Sequence, residues 1–266
     1  MPSPQYKGWS VMRKLPFHLI CLFLIVFIWS SSSFADNSYS GERKPTLTLG
    51  LGAAFNSNPY RGADRKILAL PILAYEGERF FVRGINAGYH LFRQNNLTMS
   101  LLSSYRMAGY DSGDSDFLQG MADRDGTLEA GLQVSLATSL GQFSATLLND
   151  VLDEHDGHEA KLTFSKRFPL QKFFVSPFVS AIWQSSQLAN YYYGVRSIEA
   201  SMARPAYKVD SSVLVQLGVR ANYLFREHWS LSGRIAVTRL ADEISGSPIV
   251  KDDFVSSAFV GIGYQF

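Results

Sequence analysis

The chain closes on Ser257-Ala258-Phe259-Val260-Gly261-Ile262-Gly263-Tyr264-Gln265-Phe266, and the alternation within that stretch decides the fold. Ala258, Val260, Ile262, Tyr264 and Phe266 share one face, while Ser257, Phe259, Gly261, Gly263 and Gln265 share the other. A period of two is the signature of a strand, because successive side chains point to opposite faces. Working upstream, the pattern recurs. Leu128, Ala130, Leu132, Val134 and Leu136 oppose Glu129, Gly131, Gln133 and Ser135. Val213, Val215, Leu217, Val219, Ala221 and Tyr223 oppose Gln216, Gly218, Arg220 and Asn222, and Leu231, Ile235 and Val237 oppose Ser232, Arg234 and Thr238. Segments of about nine to twelve residues with one oily and one wet face are the length and pattern of a strand that crosses an outer membrane.

A soluble sandwich also alternates, but its strands are shorter, about five or six residues. In a barrel, Arg220 and Arg234 point into a hydrated lumen; on the lipid face each would cost about 2 to 4 kcal/mol at midplane. Their register therefore marks the inside. The ending Tyr-Gln-Phe resembles the C-terminal signal of bacterial outer-membrane barrels, which implies that Tyr264 and Phe266 are read by the β-barrel assembly machinery.

The composition agrees. Of 266 residues, 46% are hydrophobic, 14% aromatic and 18% charged, against about 25% charged in an average soluble domain. A mean hydropathy of −0.02 is too low for a bundle of apolar helices. Arg13 and Lys14 precede an apolar run from Leu15 to Trp29 and then Ser33-Phe34-Ala35, the layout of a cleaved export signal. The expected organisation is a signal peptide over 1–35, a periplasmic segment over 36–44 and a barrel over 45–266. Lys7, Arg13 and Lys14 lie in the leader, so the mature chain carries 22 basic and 23 acidic residues and offers no basic face for nucleic acid. Cys21, the one cysteine, also lies in the leader, which removes disulfides, thiol catalysis and thiolate metal sites from the mature chain.

The expected fold class is all-β: a transmembrane antiparallel up-and-down barrel with short periplasmic turns and longer extracellular loops. Clear candidate strands number eleven, whereas a single-chain barrel with both termini periplasmic needs an even count. Breaking the segment 79–92 at Gly84, into Arg79–Arg83 and Ile85–Phe92, gives twelve strands; ten is the alternative. Short turns are expected near Glu76-Gly77-Glu78, Asn95-Asn96, Ser139 to Gln142, Pro169 to Lys172 and Glu227-His228. Longer, outward loops are expected near 56–66, 108–126, 152–158, 185–212 and 241–253.

Chemistry is sparse. His155 and His158 in Asp153-Glu154-His155-Asp156-Gly157-His158-Glu159 have ligand-like spacing, but Asp156-Gly157 also makes an ordinary hairpin turn, and that reading is favoured. Asp111, Asp114, Asp116, Asp123 and Asp125 offer hard oxygen ligands without the spacing of a calcium loop, and a solvated loop is the better reading. No Gly-x-Ser-x-Gly elbow appears, so a lipid hydrolase has no motif behind it. The expectation is no catalytic residue, no metal and no cofactor. Tyr191-Tyr192-Tyr193 cannot all face lipid or all face water; they read either as an extracellular contact or as part of a plug.

Several stretches together resemble the MltA-interacting protein (MipA/OmpV) family of outer-membrane proteins. They are Pro71 to Phe81, with Tyr75-Glu76-Gly77 and Arg79-Phe80-Phe81; Gly109-Tyr110-Asp111; Gly120-Met121-Ala122-Asp123-Arg124-Asp125-Gly126; Asn190-Tyr191-Tyr192-Tyr193-Gly194-Val195; Arg204-Pro205-Ala206-Tyr207; Ser247-Pro248-Ile249-Val250; and the Tyr264-Gln265-Phe266 end. The resemblance implies a barrel in the cell outer membrane, among lipid and lipopolysaccharide, acting as a scaffold between a lytic transglycosylase and a murein synthase. It brings no catalytic residues. A scaffold of this kind would use the periplasmic turns, where Phe92, Arg93, Phe225, Arg226, His228 and Trp229 are the candidate contacts. A surface adhesin would instead use Tyr191 to Tyr193, and a small-solute channel would need an open lumen.

Overall fold

The computed structural model describes residues 45–266; the leader and the segment 36–44 lie outside the described residues. Strands β1 (Thr46–Asn56), β2 (Lys66–Glu76), β3 (Phe80–Arg83), β4 (Asn86–Gln94), β5 (Leu97–Arg106), β6 (Thr127–Ala137) and β7 (Gln142–Asp150) pair each with the next. They are followed by β8 (His158–Ser165), β9 (Phe168–Leu170), β10 (Phe173–Gln184), β11 (Ser212–Leu224), β12 (Trp229–Arg239) and β13 (Phe254–Gln265). Antiparallel pairing of β13 with β1 closes the ring.

Two prolines explain irregularities in the wall. β8 and β9 both pair with β10, at Phe178–Gln184 and Phe173–Val175 respectively, so they form one wall strand interrupted at Lys166-Arg167. The interruption faces Pro177, whose carbonyl accepts from Lys166 N–H at 3.2 Å and which has no N–H to return. The thirteen strand segments therefore make a twelve-strand barrel. The break at Gly84 is present: its φ of 62°, which glycine adopts at the least cost, turns β3 back into β4. β3 is short and meets only Ala74–Glu76 of β2. Among the described residues, the stretch of β2 from Ile67 to Ile72 then has no strand across that edge, and Pro71 lies on it. The wall thus has a notch, one hairpin wide, toward its outer end.

The faces fall as the alternation requires. Leu217, Ile235, Val260 and Ile262 are exposed on the outside, while Gln133, Gln216 and Arg234 bond across the lumen wall to Thr146, Thr238 and Ser257. The turn expected over Pro169 to Lys172 is tighter than that: Pro169 and Leu170 remain in strand, and Gln171, at φ 55°, makes the reversal with Lys172. The outer connections match the long loops expected, and two carry helices, α1 (Ser186–Tyr193) and α2 (Asp242–Ser245).

Candidate functional site

The two ends of the barrel are built differently. At the outer end, one buried cluster joins Tyr60 from the β1–β2 loop with Tyr110, Leu118 and Met121 from the β5–β6 loop, Ala189, Val195 and Val209 from the β10–β11 loop, and Ile244, Ile249 and Val250 from the β12–β13 loop. These loops rise from positions spread round the ring, so a core they share lies across the mouth. Ile182 and Leu214, on the outer ends of β10 and β11, join the same cluster and tie the cap to the wall.

Polar groups lock the cap. Arg124 is buried and gives both Nη2 hydrogen bonds to the Glu199 carboxylate, at 3.1 and 3.0 Å, its Nε to Tyr191 O at 2.6 Å and its Nη1 to Ala122 O at 2.9 Å. Arg204 bonds to the carbonyls of Glu199, Gln119 and Phe117, so the β5–β6 and β10–β11 loops are held by two guanidinium groups. Gly109, at φ 117°, lets Tyr110 exchange backbone bonds with Arg124 at 3.0 and 2.8 Å. Burial alone would raise the Glu199 carboxyl. Hydrogen bonds from the Arg196 side chain and from the N–H groups of Ala122 and Arg196, with the charge of Arg124, outweigh it and bring the pKa down to about 2.

That shift fixes a pH dependence. A depressed carboxylate contributes stability above its ordinary pKa of 4.5, and the contribution is lost as pH falls toward about 2. The cap is therefore expected to loosen between these values, by about 3 kcal/mol in total. Hydrogen exchange of 108–126 and 196–207, corrected for intrinsic rates, measures this; Glu199→Gln should flatten the dependence.

Tyr191, Tyr192 and Tyr193 lie in the last turn of α1, which Ser185 caps by accepting from Leu188 N–H. Tyr192 is buried and donates to Asp125 O at 3.1 Å; Tyr191 donates to Glu154 Oε2 at 3.2 Å and accepts from Asp125 N–H at 3.1 Å; Tyr193 packs on the cap core. Their hydroxyls serve the cap itself where these bonds are made. The large apolar residues most open on the cap are Ile198 and Met202, which no sequence motif singles out. His155 is buried beneath α1: Nδ1 accepts from Gly157 N–H at 2.9 Å, which leaves the proton on Nε2, 3.3 Å from Glu129 Oε1. His158 reaches Asn149 Oδ1 instead, so the two histidines do not converge.

At the periplasmic end the turns are short. Arg226, Glu227, His228 and Trp229 line a shallow concavity with Lys172, Leu224 and Tyr264. His228 Nδ1 lies 2.9 Å from Gln265 O, and Trp229 stacks edge-on to Tyr264 at 5.2 Å, which in turn meets Phe266 at 4.9 Å. Among the described residues, no side-chain hydrogen bond or ion pair engages Lys172, Arg226 or Glu227. Phe225 lies 6.3 Å from the Trp229 ring. Phe92 and Arg93 sit apart from this concavity. Phe92 is exposed on the outside beyond a bulge after His90, and Arg93 turns inward to Glu76 at 2.5 Å, beside Arg83 on the same carboxylate. The sequence candidates are thus brought together only in part.

Residues 49–266 match the family described as MltA-interacting protein MipA. The chain belongs to that family. It is 30% identical to the MltA-interacting protein of Escherichia coli K12 over 83% of this chain and 90% of that one. It is 25% identical to the putative outer membrane protein YiaT of the same strain, over 94% and 98% of the two chains, and 28% identical to the outer membrane protein OmpV of Vibrio cholerae, over 81% and 85%. Among solved structures it is similar to the translocator domain of the autotransporter NalP from Neisseria meningitidis, with a TM-score of 0.48 and 10% identity over 85% and 90% of the chains. The protein is an outer-membrane barrel. The loop stretches quoted for the family resemblance, around Tyr110, Arg124, Tyr192, Arg204 and Ile249, meet one another in the cap.

Proposed function

We propose that this barrel is a non-enzymatic scaffold whose working surface is its periplasmic rim, where it holds a murein hydrolase and a murein synthase. The asymmetry of the two ends carries the reading. The outer loops are turned inward on a packed core, while the periplasmic concavity keeps Lys172, Arg226 and Glu227 free of internal partners. The name of the 30% identical relative, MltA-interacting protein, supports a murein enzyme as the partner. A stable interface generally buries about 1,200 to 2,000 Å², and turns this short offer less, so weak or multivalent binding is expected.

Affinity capture of the tagged mature barrel from gently solubilised envelopes tests this against the Arg226→Ala/His228→Ala variant. Murein enzymes should elute with the parent and be lost from the variant. Their absence from a folded parent overturns the scaffold role, and their retention by the variant moves the contact elsewhere. A surface-contact reading draws support from Ile198 and Met202, both open to solvent in the β10–β11 loop, and places such a contact there in preference to Tyr191–Tyr193.

A further inference from the structure

A cluster of charge in the lumen is not used by a periplasmic scaffold. Pairing of β11 with β12 sets Arg220 directly opposite Arg234, both on the lumen face. Like charges directly opposed across two strands work against the sheet. The two guanidinium groups also converge: their carbons lie 4.3 and 5.2 Å from the centre of the same ring, Phe178 on β10. Lys161, on β8, points into the same lumen from across β10.

Among the described residues no carboxylate pairs with the two arginines, and the one whose charge reaches Lys161, Glu159, is already held by Arg106. Arg234 donates to Ser257 Oγ and Gln216 Oε1, both at 3.1 Å and both neutral. Arg220 is exposed inside the barrel, and no described residue accepts a hydrogen bond from its guanidinium. The lumen carboxylates are engaged elsewhere. Glu76 is shared by Arg83 and Arg93, and Glu129 and Glu159 both hold Arg106. Asp150 accepts from Thr127 and from the N–H groups of Leu152, His155 and Asp156. Among the described residues, no carboxylate forms an ion pair with Arg220, Arg234 or Lys161.

We propose that Arg220 and Arg234, with Lys161 adding charge, form a binding site for a small oxyanion of the phosphate class. The fit is chemical. A guanidinium presents two parallel N–H donors that match a pair of phosphate oxygens, and an unspent fork beside a second one can grip such an anion from two sides. An anion between them turns an unfavourable cross-strand pair into a bridge. Access is from the periplasm, because the cap lies over the outer mouth and Arg220 stands four residues before the periplasmic end of β11 at Leu224.

The purified full-length mature barrel, in phosphate-free detergent buffer at fixed ionic strength, is titrated calorimetrically with inorganic phosphate, with succinate and chloride as separate arms. The parent should bind phosphate more tightly than succinate and show no saturable heat with chloride. Arg220→Gln/Arg234→Gln should weaken phosphate binding by about tenfold or more, with Lys161→Gln having a smaller effect. Heat-modifiable migration in gels certifies that each variant is folded. If the double variant does not fold, Arg220→Gln alone replaces it, since that side chain makes no internal hydrogen bond, and the same loss is required. Absent binding in the parent, preference for succinate, or undiminished binding in a folded variant each overturns the proposal. None of these outcomes bears on partner capture at the rim, so the two readings fail independently.

Discussion

Replacing Arg124 with alanine is expected to unseat the cap while the barrel stays closed. The side chain is buried, holds Glu199 through two bonds and reaches Tyr191 and Ala122 through two more. Removing one partner of a buried pair costs about 3 to 5 kcal/mol, because the other charge is left without its compensation. Arg196 still holds Glu199, at 2.5 Å, which puts the expected loss at the lower end. The wall does not depend on these contacts, since its strands bond to each other. The loss should therefore appear as local opening: protease cleavage within 108–126 and 185–211 about a hundredfold faster, at unchanged resistance of the strands to urea. Arg124→Ala with parent-like cleavage would refute the account of the cap. The exposed Lys251→Ala serves as a neutral control.

The second large effect concerns the wall. Leu217 is exposed on the lipid face of β11, and its neighbour Gln216 faces the lumen, where it bonds Thr238 and Arg234. Leu217→Arg is expected to destabilise the barrel by about 2 to 4 kcal/mol, as a cation near the bilayer midplane does. Gln216→Glu, one residue away, should cost far less, because the charge faces the hydrated lumen and the Arg234 guanidinium that Gln216 already bonds. Equilibrium urea unfolding in lipid vesicles separates the two. Equal costs would mean that the faces are assigned wrongly.

The two predictions rest on different kinds of information. That Leu217 faces lipid was legible in the sequence, and so was the placement of Arg220 and Arg234 inside. Side-chain alternation is a property of each strand by itself, and a strand between oil and water must declare its two faces residue by residue. The break at Gly84 was legible for another reason: the even strand count demanded a break, and a glycine takes a positive φ at the least cost. Pro177 gave a weaker signal. The missing N–H is visible in sequence, but its effect, the interruption between β8 and β9, depends on which strand lies alongside.

The cap was not legible. Tyr110, Arg124, Tyr192, Glu199, Arg204 and Ile249 come from segments far apart in the chain, and each segment alone reads as polar loop. The tyrosines therefore read as a surface contact as readily as a plug, and nothing in the sequence sets Ile198 and Met202 apart. Arg93 shows the same limit at the other end, since a turn-proximal arginine looks free until Glu76 of another strand is found beside it. What the sequence by itself determined about this protein is the barrel, its inside and its outside, because those follow from local alternation between two solvents. What only the tertiary structure decided is who meets whom: the loops that join over the mouth, and Arg220 set against Arg234. Such meetings depend on strand register and ring closure, which bring distant residues together and leave no mark in either segment alone.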